Sequence, residues 1–197
     1  MARTADGVLD ALTGARRPVA EWAREPLAPG SVLLHPTHDE PPAGAPNSAD
    51  ALLLQLVLHR CDDVEAVFAA ARSVLRPGGT LVIVTPSAVL RTLDDLRWRS
   101  VLRPVRRGPW RHRAALDSVG WLLAAADFAV LGDDRAPYGL PLPDAGSARR
   151  AADRLPEAGL WPDLDAAART ALAGELARRA GPDVRVPVPL RRLVARR

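Results

Sequence analysis

The chain has 197 residues, enough for one ordinary globular domain with its own core. Hydrophobic residues make up 48% of it and charged residues 25%, which is typical of soluble globular proteins and excludes a disordered or collagen-like chain. The single cysteine, Cys61, excludes an intramolecular disulfide and a cysteine-based zinc cluster. The net charge is +4 and all 27 basic residues are arginine, so basicity alone makes nucleic acid an option and no more.

The first residues, MARTADGVLDALTG, lack the apolar core of a secretory signal, and no apolar run approaches membrane-spanning length. We therefore expect a cytoplasmic protein with no membrane contact. We predict one domain over residues 1–197. Its parts are N-terminal helices (1–30), an α/β core (31–143), a helical insertion (144–182) and a last strand (183–197).

Residues 5–25 carry apolar side chains at helical spacing, and prolines end that helical region before a short apolar run at 31–35. We predict helix and then strand. Residues 51–57 form an unbroken apolar run, as expected of a strand covered on both faces. Asp62 is the predicted N-cap of the following helix, with Glu65 completing a capping-box-like pair. The helix then carries one apolar face, made up of Val64, Val67, Phe68, Ala71, Val74 and Leu75.

Pro77, Gly78 and Gly79 predict a turn out of this helix into a strand at 81–84. Beyond Pro86, an arginine-rich stretch precedes a predicted helix at 114–126. The later predictions are a strand at 126–131, helices at 147–158 and 164–180, and a last strand. Asp127 is expected to tolerate the left-handed conformation. Pro187 and Pro189 lack N–H groups, so the paired part of the last strand is predicted at 190–195. Trp22, Trp121 and Trp161 lie on apolar helical faces and are predicted to be core residues.

One stretch of the chain resembles a known family. It runs from Asp50 through Leu58-His59 and Asp62-Asp63 to Ser73-Val-Leu-Arg-Pro-Gly-Gly-Thr-Leu81. It is similar to the fourth strand, helix and fifth strand of class I S-adenosylmethionine-dependent methyltransferases, most closely the type 11-like, small-molecule branch. Residues 126–131 and 183–195 resemble that family's sixth and last strands. The resemblance implies a truncated Rossmann-like α/β sheet of strand order 1-4-5-7-6, with an antiparallel last strand and a helical insertion before it.

The resemblance is incomplete in the cofactor-binding front half. In the family, the first strand runs into a glycine-rich loop and a helix N-terminus, but here HPTHDEPPAGAPNS follows residues 31–35. That segment has one glycine, Gly44, and its prolines do not permit a helix. Only 15 residues separate His35 from Ala51, about the minimum for one crossover between parallel strands. The family's second and third strands therefore have no room.

The resemblance implies S-adenosylmethionine as cofactor. It would lie against residues 35–39 and 55–59, and its candidate contacts are His35, Asp39, Gln55, Leu56 and Leu58. A second alignment matches Thr37-His38-Asp39-Glu40 to the segment after the family's third strand, with Asp39 as the adenine-binding acid. We prefer residues 31–35 as the first strand, because a third strand beside the fourth would leave a gap in the sheet.

His59 follows the central strand, where open α/β sheets bind their ligands, and it is the candidate catalytic base. The alternative is a solvent-facing or helix-entry histidine, since no acid at fixed spacing orients it. His35, His38, Asp39 and Glu40 could ligate a metal, but a proline-rich loop is a poor frame, so we predict no metal site. Cys61 lacks a histidine–acid pair and is not expected to act as a nucleophile.

The sequence thus leaves two functions of different class. The first is a methyltransferase that uses S-adenosylmethionine on an unknown small molecule. The alternative is a catalytically inactive homologue that serves as a scaffold or partner subunit, with an exposed sheet edge through which it could form a dimer. A weaker alternative is nucleic-acid binding through Arg91–Arg113, where Trp98 and Trp110 interrupt the arginines. We favour a solvated, partly helical cover whose tryptophans pack on the sheet, and a lid that grips an acidic substrate is the next alternative.

Overall fold

The computed structural model describes residues 7–35, 41–87 and 96–197. The chain divides into two compact units. The first, here called the sheet unit, comprises Ala20–Ser87, Arg111–Arg135 and Leu190–Arg197. The second, the helical unit, comprises Met1–Val19, Ala88–Trp110 and Ala136–Pro189.

The sheet unit is built on five strands: β1 Leu33–Leu34, β2 Ala49–Gln55, β3 Leu75–Pro86, β4 Ala129–Ala136 and β7 Leu190–Arg196. They form one sheet in the order β1-β2-β3-β7-β4. β1 pairs with β2 and β2 with β3 in parallel, whereas β3 and β7 run antiparallel. The α/β fold class and the antiparallel last strand are therefore confirmed.

β1 and β2 are the two strands that the short connection predicts to be neighbours, and Leu33 pairs with Ala51. β2 lies two residues earlier than predicted, from Ala49 to Gln55. It ends where it does because Leu56 has a φ of 58°, in the left-handed region that no strand residue adopts. Asp50 ties the two strands together: its carboxylate accepts the Val32 N–H at 2.9 Å.

The helix α2 (Val64–Val74) packs the predicted apolar face on the sheet. Its N-cap is Asp63, not Asp62, because the Asp63 carboxylate accepts the Ala66 N–H at 2.9 Å. β3 starts directly after α2, earlier than predicted: Leu75 pairs with Ala49, the register then shifts, and pairing with β2 resumes at Thr80. The glycines of the predicted turn lie in this irregular segment, where Gly78 has a φ of 78° and its N–H donates to the Arg197 carbonyl at 3.0 Å.

The predicted helix 114–126 is two short helices, α4 (Ala114–Asp117) and α5 (Val119–Ala125). Ser118, with φ −118° and ψ 19°, separates them. The prediction that Trp121 is a core residue is wrong, since it is 71% exposed on α5. The left-handed conformation expected of Asp127 is confirmed by its φ of 56°.

The last strand follows its prediction, because Pro187 and Pro189 precede the paired segment and β7 begins at Leu190. β4 begins later than predicted, at Ala129, and extends to Ala136. On the opposite face of the sheet from α2, the short helix α1 (Val19–Arg24) places Trp22 against Arg192 of β7, with the guanidinium 4.9 Å from the ring centroid.

The helical unit contains the two predicted helices before the last strand, with bounds shifted by two residues or fewer. They are α6 (Ala145–Glu157) and α7 (Ala166–Arg179), which are capped by the carboxylates of Asp144 and Asp165. A further helix, α3, covers Arg99–Arg107. The strands β5 (Gly139–Pro141) and β6 (Arg185–Pro187) form a two-stranded antiparallel sheet. Trp161 is buried there, as predicted.

Candidate functional site

The candidate site lies at the carboxyl ends of β1, β2 and β3. Because these strands are parallel neighbours, the segments that follow them emerge at the same edge of the sheet. The segments are His35 after β1, residues 56–61 after β2, and Ser87 after β3.

The turn after β2 is fixed by its own backbone. The Leu56 N–H donates to the Val84 carbonyl at 2.9 Å, which ties the start of the turn to β3. The Arg60 and Cys61 N–H groups donate to the Val57 carbonyl at 2.9 and 3.1 Å. The Cys61 thiol, itself buried, lies 3.2 Å from the Leu58 carbonyl. This turn therefore has a defined conformation before any ligand arrives.

A second segment, Arg111–His112, closes over the same turn. The His112 N–H donates to the His59 carbonyl at 3.4 Å, and the His112 ring contacts the Asp62 carbonyl at 3.0 Å. Arg111 donates to the Arg60 carbonyl at 3.1 Å and pairs with the Asp62 carboxylate at 2.8 Å. Arg111 and His112 thus bind backbone carbonyls just before α2 that would otherwise be left to solvent.

The His59 side chain is 2% exposed. The solvent-facing alternative is therefore wrong. His59 follows β2 at the edge where open α/β sheets bind their ligands, but it is so deeply buried that a substrate reaches it only if neighbouring residues move.

The other candidate contacts differ in accessibility. Leu58 is fully buried among α2 side chains, and Leu56 is 5% exposed. Gln55, at the last position of β2, and His35, just beyond β1, are both half-buried and thus accessible from solvent. Asp39, like His38 and Glu40, lies outside the described residues. Within the part of the chain that the structure describes, no three His, Cys, Asp or Glu side chains are close enough to hold a metal ion.

Thr85 and Ser87 belong to the site, although no sequence pattern above points to them. They lie two residues apart at the carboxyl end of β3, so their side chains share one face of the strand. Both hydroxyl oxygens are buried and form no hydrogen bond to any described residue. The sequence feature that could have identified them is the change from apolar residues at Leu81–Val84 to hydroxyl-bearing residues immediately afterwards.

Residues 96–110 of the arginine-rich stretch belong to the helical unit. Trp98 precedes α3 and is 8% exposed, and the Arg179 guanidinium of α7 lies 5.4 Å from its ring centroid. Arg99, Arg103 and Arg107 follow each other at four-residue spacing on the exposed side of α3. A solvated cover was expected to pack its tryptophans on the sheet, whereas the ring contact described for the buried Trp98 is with Arg179 of the helical unit. Nothing in the described contacts tests nucleic-acid binding.

None of the described helices has the length and apolar content that crossing a bilayer requires. The prediction that the chain does not contact a membrane is to be compared with this property of the described helices.

Comparison with known proteins finds a family match for part of the chain. Residues 17–83 match the family model described as a methyltransferase domain. The match covers α1, β1, β2, α2 and most of β3, the segment that carries the candidate site. The search of curated proteins gave no match.

Among solved structures, one similar protein is a candidate methyltransferase from Bacillus halodurans C-125. It is 17% identical, with a TM-score of 0.46 over 80% of this chain and 68% of that one. A SAM-dependent methyltransferase from Methanosarcina mazei is 13% identical, with a TM-score of 0.40 over 79% and 62%. Phosphoethanolamine N-methyltransferase 2 from Haemonchus contortus, solved with S-adenosyl-L-methionine, is 13% identical, with a TM-score of 0.39 over 79% and 35%. The chain thus spans less than two thirds of the last two proteins.

Proposed function

We propose that this chain, whose residues 17–83 carry a segment of the class I methyltransferase family, is an S-adenosylmethionine-dependent methyltransferase that acts on a small molecule. The observation that carries the proposal is the coincidence of two independent features. The family match ends within β3, and the strands it covers are those whose carboxyl ends form the candidate site.

The described residues fit the cofactor only in part. Gln55 and His35 offer accessible polar groups at the carboxyl-end edge of the sheet, and Asp39 lies outside the described residues. Leu58 is a core residue and would act only by holding the turn in place. No helix begins among residues 41–48, so the described part of the β1–β2 connection supplies no row of helix N–H groups. S-adenosylmethionine, when bound, supplies an electrophilic methyl group.

The contribution of the chain would then be positioning and proton removal. Gln55 would donate or accept a hydrogen bond to the bound molecule, and Leu56 would hold the turn at a fixed distance from β3. His59 would accept a proton from the attacking group of the acceptor, at whichever ring nitrogen faces it. Arg111 and His112 would keep water out by covering the turn.

Ligand binding provides the first test. Thermal unfolding and titration calorimetry would be measured with S-adenosylhomocysteine at millimolar concentration, and a ligand at 100 times its dissociation constant stabilises by about 2.7 kcal/mol. We expect a shift and a binding heat in the wild-type chain, both reduced in Gln55→Ala. Glu65→Gln, on the exposed side of α2, is the matched control and should bind as wild type. ATP, which shares the adenosine moiety, should bind less well.

The second test separates binding from chemistry. His59→Asn should keep the S-adenosylhomocysteine affinity and lose release of that product from S-adenosylmethionine in a screen of small-molecule acceptors. His112→Asn should lower thermal stability instead, because it removes the ring contact to the Asp62 carbonyl. Retained product release in His59→Asn would exclude His59 as the base.

A second candidate is a non-catalytic homologue that serves as a scaffold or partner subunit. The favouring observation is the direct pairing of β1 with β2, which leaves no strand beside β1 among the described residues. On this alternative, S-adenosylhomocysteine gives neither a shift nor a binding heat in the wild-type chain. That result would remove the methyltransferase proposal.

A further inference from the structure

The exposed side of α3 carries arginine side chains without an acidic partner. Arg99, Arg103 and Arg107 are exposed and recur every four residues, so they lie along one side of the helix. No described residue forms a hydrogen bond or an ion pair with these three guanidinium groups. The helix contains no aspartate or glutamate. Because like charges at this spacing repel each other, this surface favours the approach of an anionic partner.

The other two helices of the helical unit combine their arginines with acids. On α7, Arg178 and Arg179 both donate to the Glu175 carboxylate, Arg179 at 3.0 Å. On α6, Arg149 is followed four residues later by Asp153. Arginine is frequent throughout the chain, so α3 is distinguished by its lack of acids rather than by its number of cations.

The apolar side of α3 is already covered. Val101, Leu102 and Val105 are buried. The helix is tied to α7, where the Arg179 side chain donates to the Ser100 hydroxyl at 3.0 Å. A helix that binds a membrane surface needs an exposed apolar face, and the described side chains of α3 do not form one. The property that α3 offers to a partner is therefore its charge.

The chemistry and the spacing of the three guanidinium groups suit a row of phosphates. A guanidinium binds a phosphate through two parallel hydrogen bonds. Successive arginines of the row are about 6 Å apart along the helix axis. The phosphates of one nucleic-acid strand recur about every 3.4 Å along its axis, so the row matches roughly every second phosphate. Carboxylates on a protein surface have no such regular interval.

We propose that the exposed side of α3 binds the phosphate backbone of a nucleic acid, without dependence on base sequence. Trp98 takes no part in base stacking, because it is 8% exposed and the Arg179 guanidinium lies over its ring. The Trp110 ring N–H donates to the Val105 carbonyl at 3.2 Å, so this ring is held on the helix. Binding is therefore electrostatic and weakens with salt. This function is independent of whether the chain binds S-adenosylmethionine.

Fluorescence anisotropy with labelled oligonucleotides tests the proposal. The probes are a single strand of mixed sequence and the corresponding duplex, each titrated with the full chain at several salt concentrations. Three bound phosphates predict a slope of log Kobs against log salt of about −2 for the single strand and about −2.7 for the duplex. A probe of scrambled sequence should bind with unchanged affinity.

Two triple variants show whether the binding depends on α3. The first neutralises the proposed row: Arg99→Gln, Arg103→Gln and Arg107→Gln. It should weaken binding by more than about tenfold and flatten the salt slope. The matched control removes the same charge from exposed positions of α6: Arg149→Gln, Arg150→Gln and Arg154→Gln. It should bind as wild type. Circular dichroism would establish that each variant is folded, and Arg103→Gln alone should reduce the single-strand slope by about 0.7.

Four results would overturn the proposal. The first is a wild-type chain that binds neither oligonucleotide at low salt. The second is binding that salt does not weaken. The third is an equal loss in the two triple variants, which would assign the binding to net charge and not to α3. The fourth is equally strong binding to polyglutamate or to vesicles of phosphatidylserine and phosphatidylcholine, which would show that α3 does not select a nucleic acid.

Discussion

Arg191 and Arg192 are consecutive residues of β7, and their guanidinium groups lie on opposite faces of the sheet. Arg191 binds both carboxylate oxygens of Asp133, at 2.9 and 2.8 Å, and the Leu116 carbonyl of α4 at 2.9 Å. Arg192 binds Asp134 at 3.0 Å and Glu25 at 3.1 Å. The side chains of both arginines are 9% exposed. One strand thereby fixes β4 and the helices of both faces.

Loss of Arg191 should cost more than loss of Arg192. Arg191→Met removes a bidentate pair and leaves the Asp133 carboxylate, 37% exposed, without its main cation, so the free energy of unfolding should fall by about 2–4 kcal/mol. The partners of Arg192 are 55% and 42% exposed and can be hydrated, so Arg192→Met should cost about 1–2 kcal/mol. Urea denaturation would measure both. Equal losses, or a larger loss for Arg192→Met, would contradict the assignment of Arg191 as the main tie.

Stability at acid pH should depend on Asp50. The Val32 N–H and then the Arg76 guanidinium hold the pKa of Asp50 below its usual value. A group with a lowered folded pKa contributes stability above its unfolded pKa, and this contribution is lost as pH falls through the folded pKa. Asp50→Asn should therefore flatten the acid limb of the stability curve. Asp153→Asn, on the exposed side of α6, is the control, and an unchanged acid limb in Asp50→Asn would refute this role.

Two glycines should respond to alanine with opposite signs. A Cβ at Gly79 would lie 2.9 Å from the Arg76 carbonyl oxygen and 3.2 Å from that of Asp50, so the irregular segment before Thr80 must shift. We expect Gly79→Ala to destabilise by about 1–3 kcal/mol. Gly174 lies within α7, where a Cβ would meet no atom within 4 Å, and Gly174→Ala should stabilise by about 0.5–1 kcal/mol. Thermal unfolding of both variants would show whether the signs differ.

The sequence predicted the elements whose signals are local. The apolar face of α2, the left-handed Asp127 and the start of β7 after its prolines all follow from spacing and backbone preference within a few residues. The parallel pairing of β1 with β2 followed from the length of their connection. Errors arose at bounds that one residue decides, such as Leu56, which ends β2, and Ser118, which divides α4 from α5.

The candidate site was predictable in position more than in detail. The strand pattern predicts the sheet edge at which the site lies. The positions of Gln55 and His59 at and after the end of an apolar run made them candidate site residues. The contacts of Arg111 and His112 with the Arg60 and Asp62 carbonyls join segments that are far apart in sequence, so no local pattern predicted them. The exposure of Trp121 also could not be predicted from its helix, because it depends on the division at Ser118 and on which face meets the sheet.

Replacing Thr85 tests whether a buried hydroxyl at the candidate site lowers the free energy of unfolding while serving ligand binding. Its buried hydroxyl forms no hydrogen bond to any described residue, and a buried hydroxyl without a partner is costly. Thr85→Val keeps the shape of the side chain and should raise the free energy of unfolding by about 1 kcal/mol. Thr170→Val is the control, because the Thr170 hydroxyl donates to the Ala166 carbonyl at 2.8 Å and its loss should not stabilise. If S-adenosylhomocysteine or an acceptor binds this hydroxyl, the stabilised variant should bind more weakly than wild type in calorimetry. A fall in stability for Thr85→Val would mean that the hydroxyl has a partner in solution and is not an unsatisfied group.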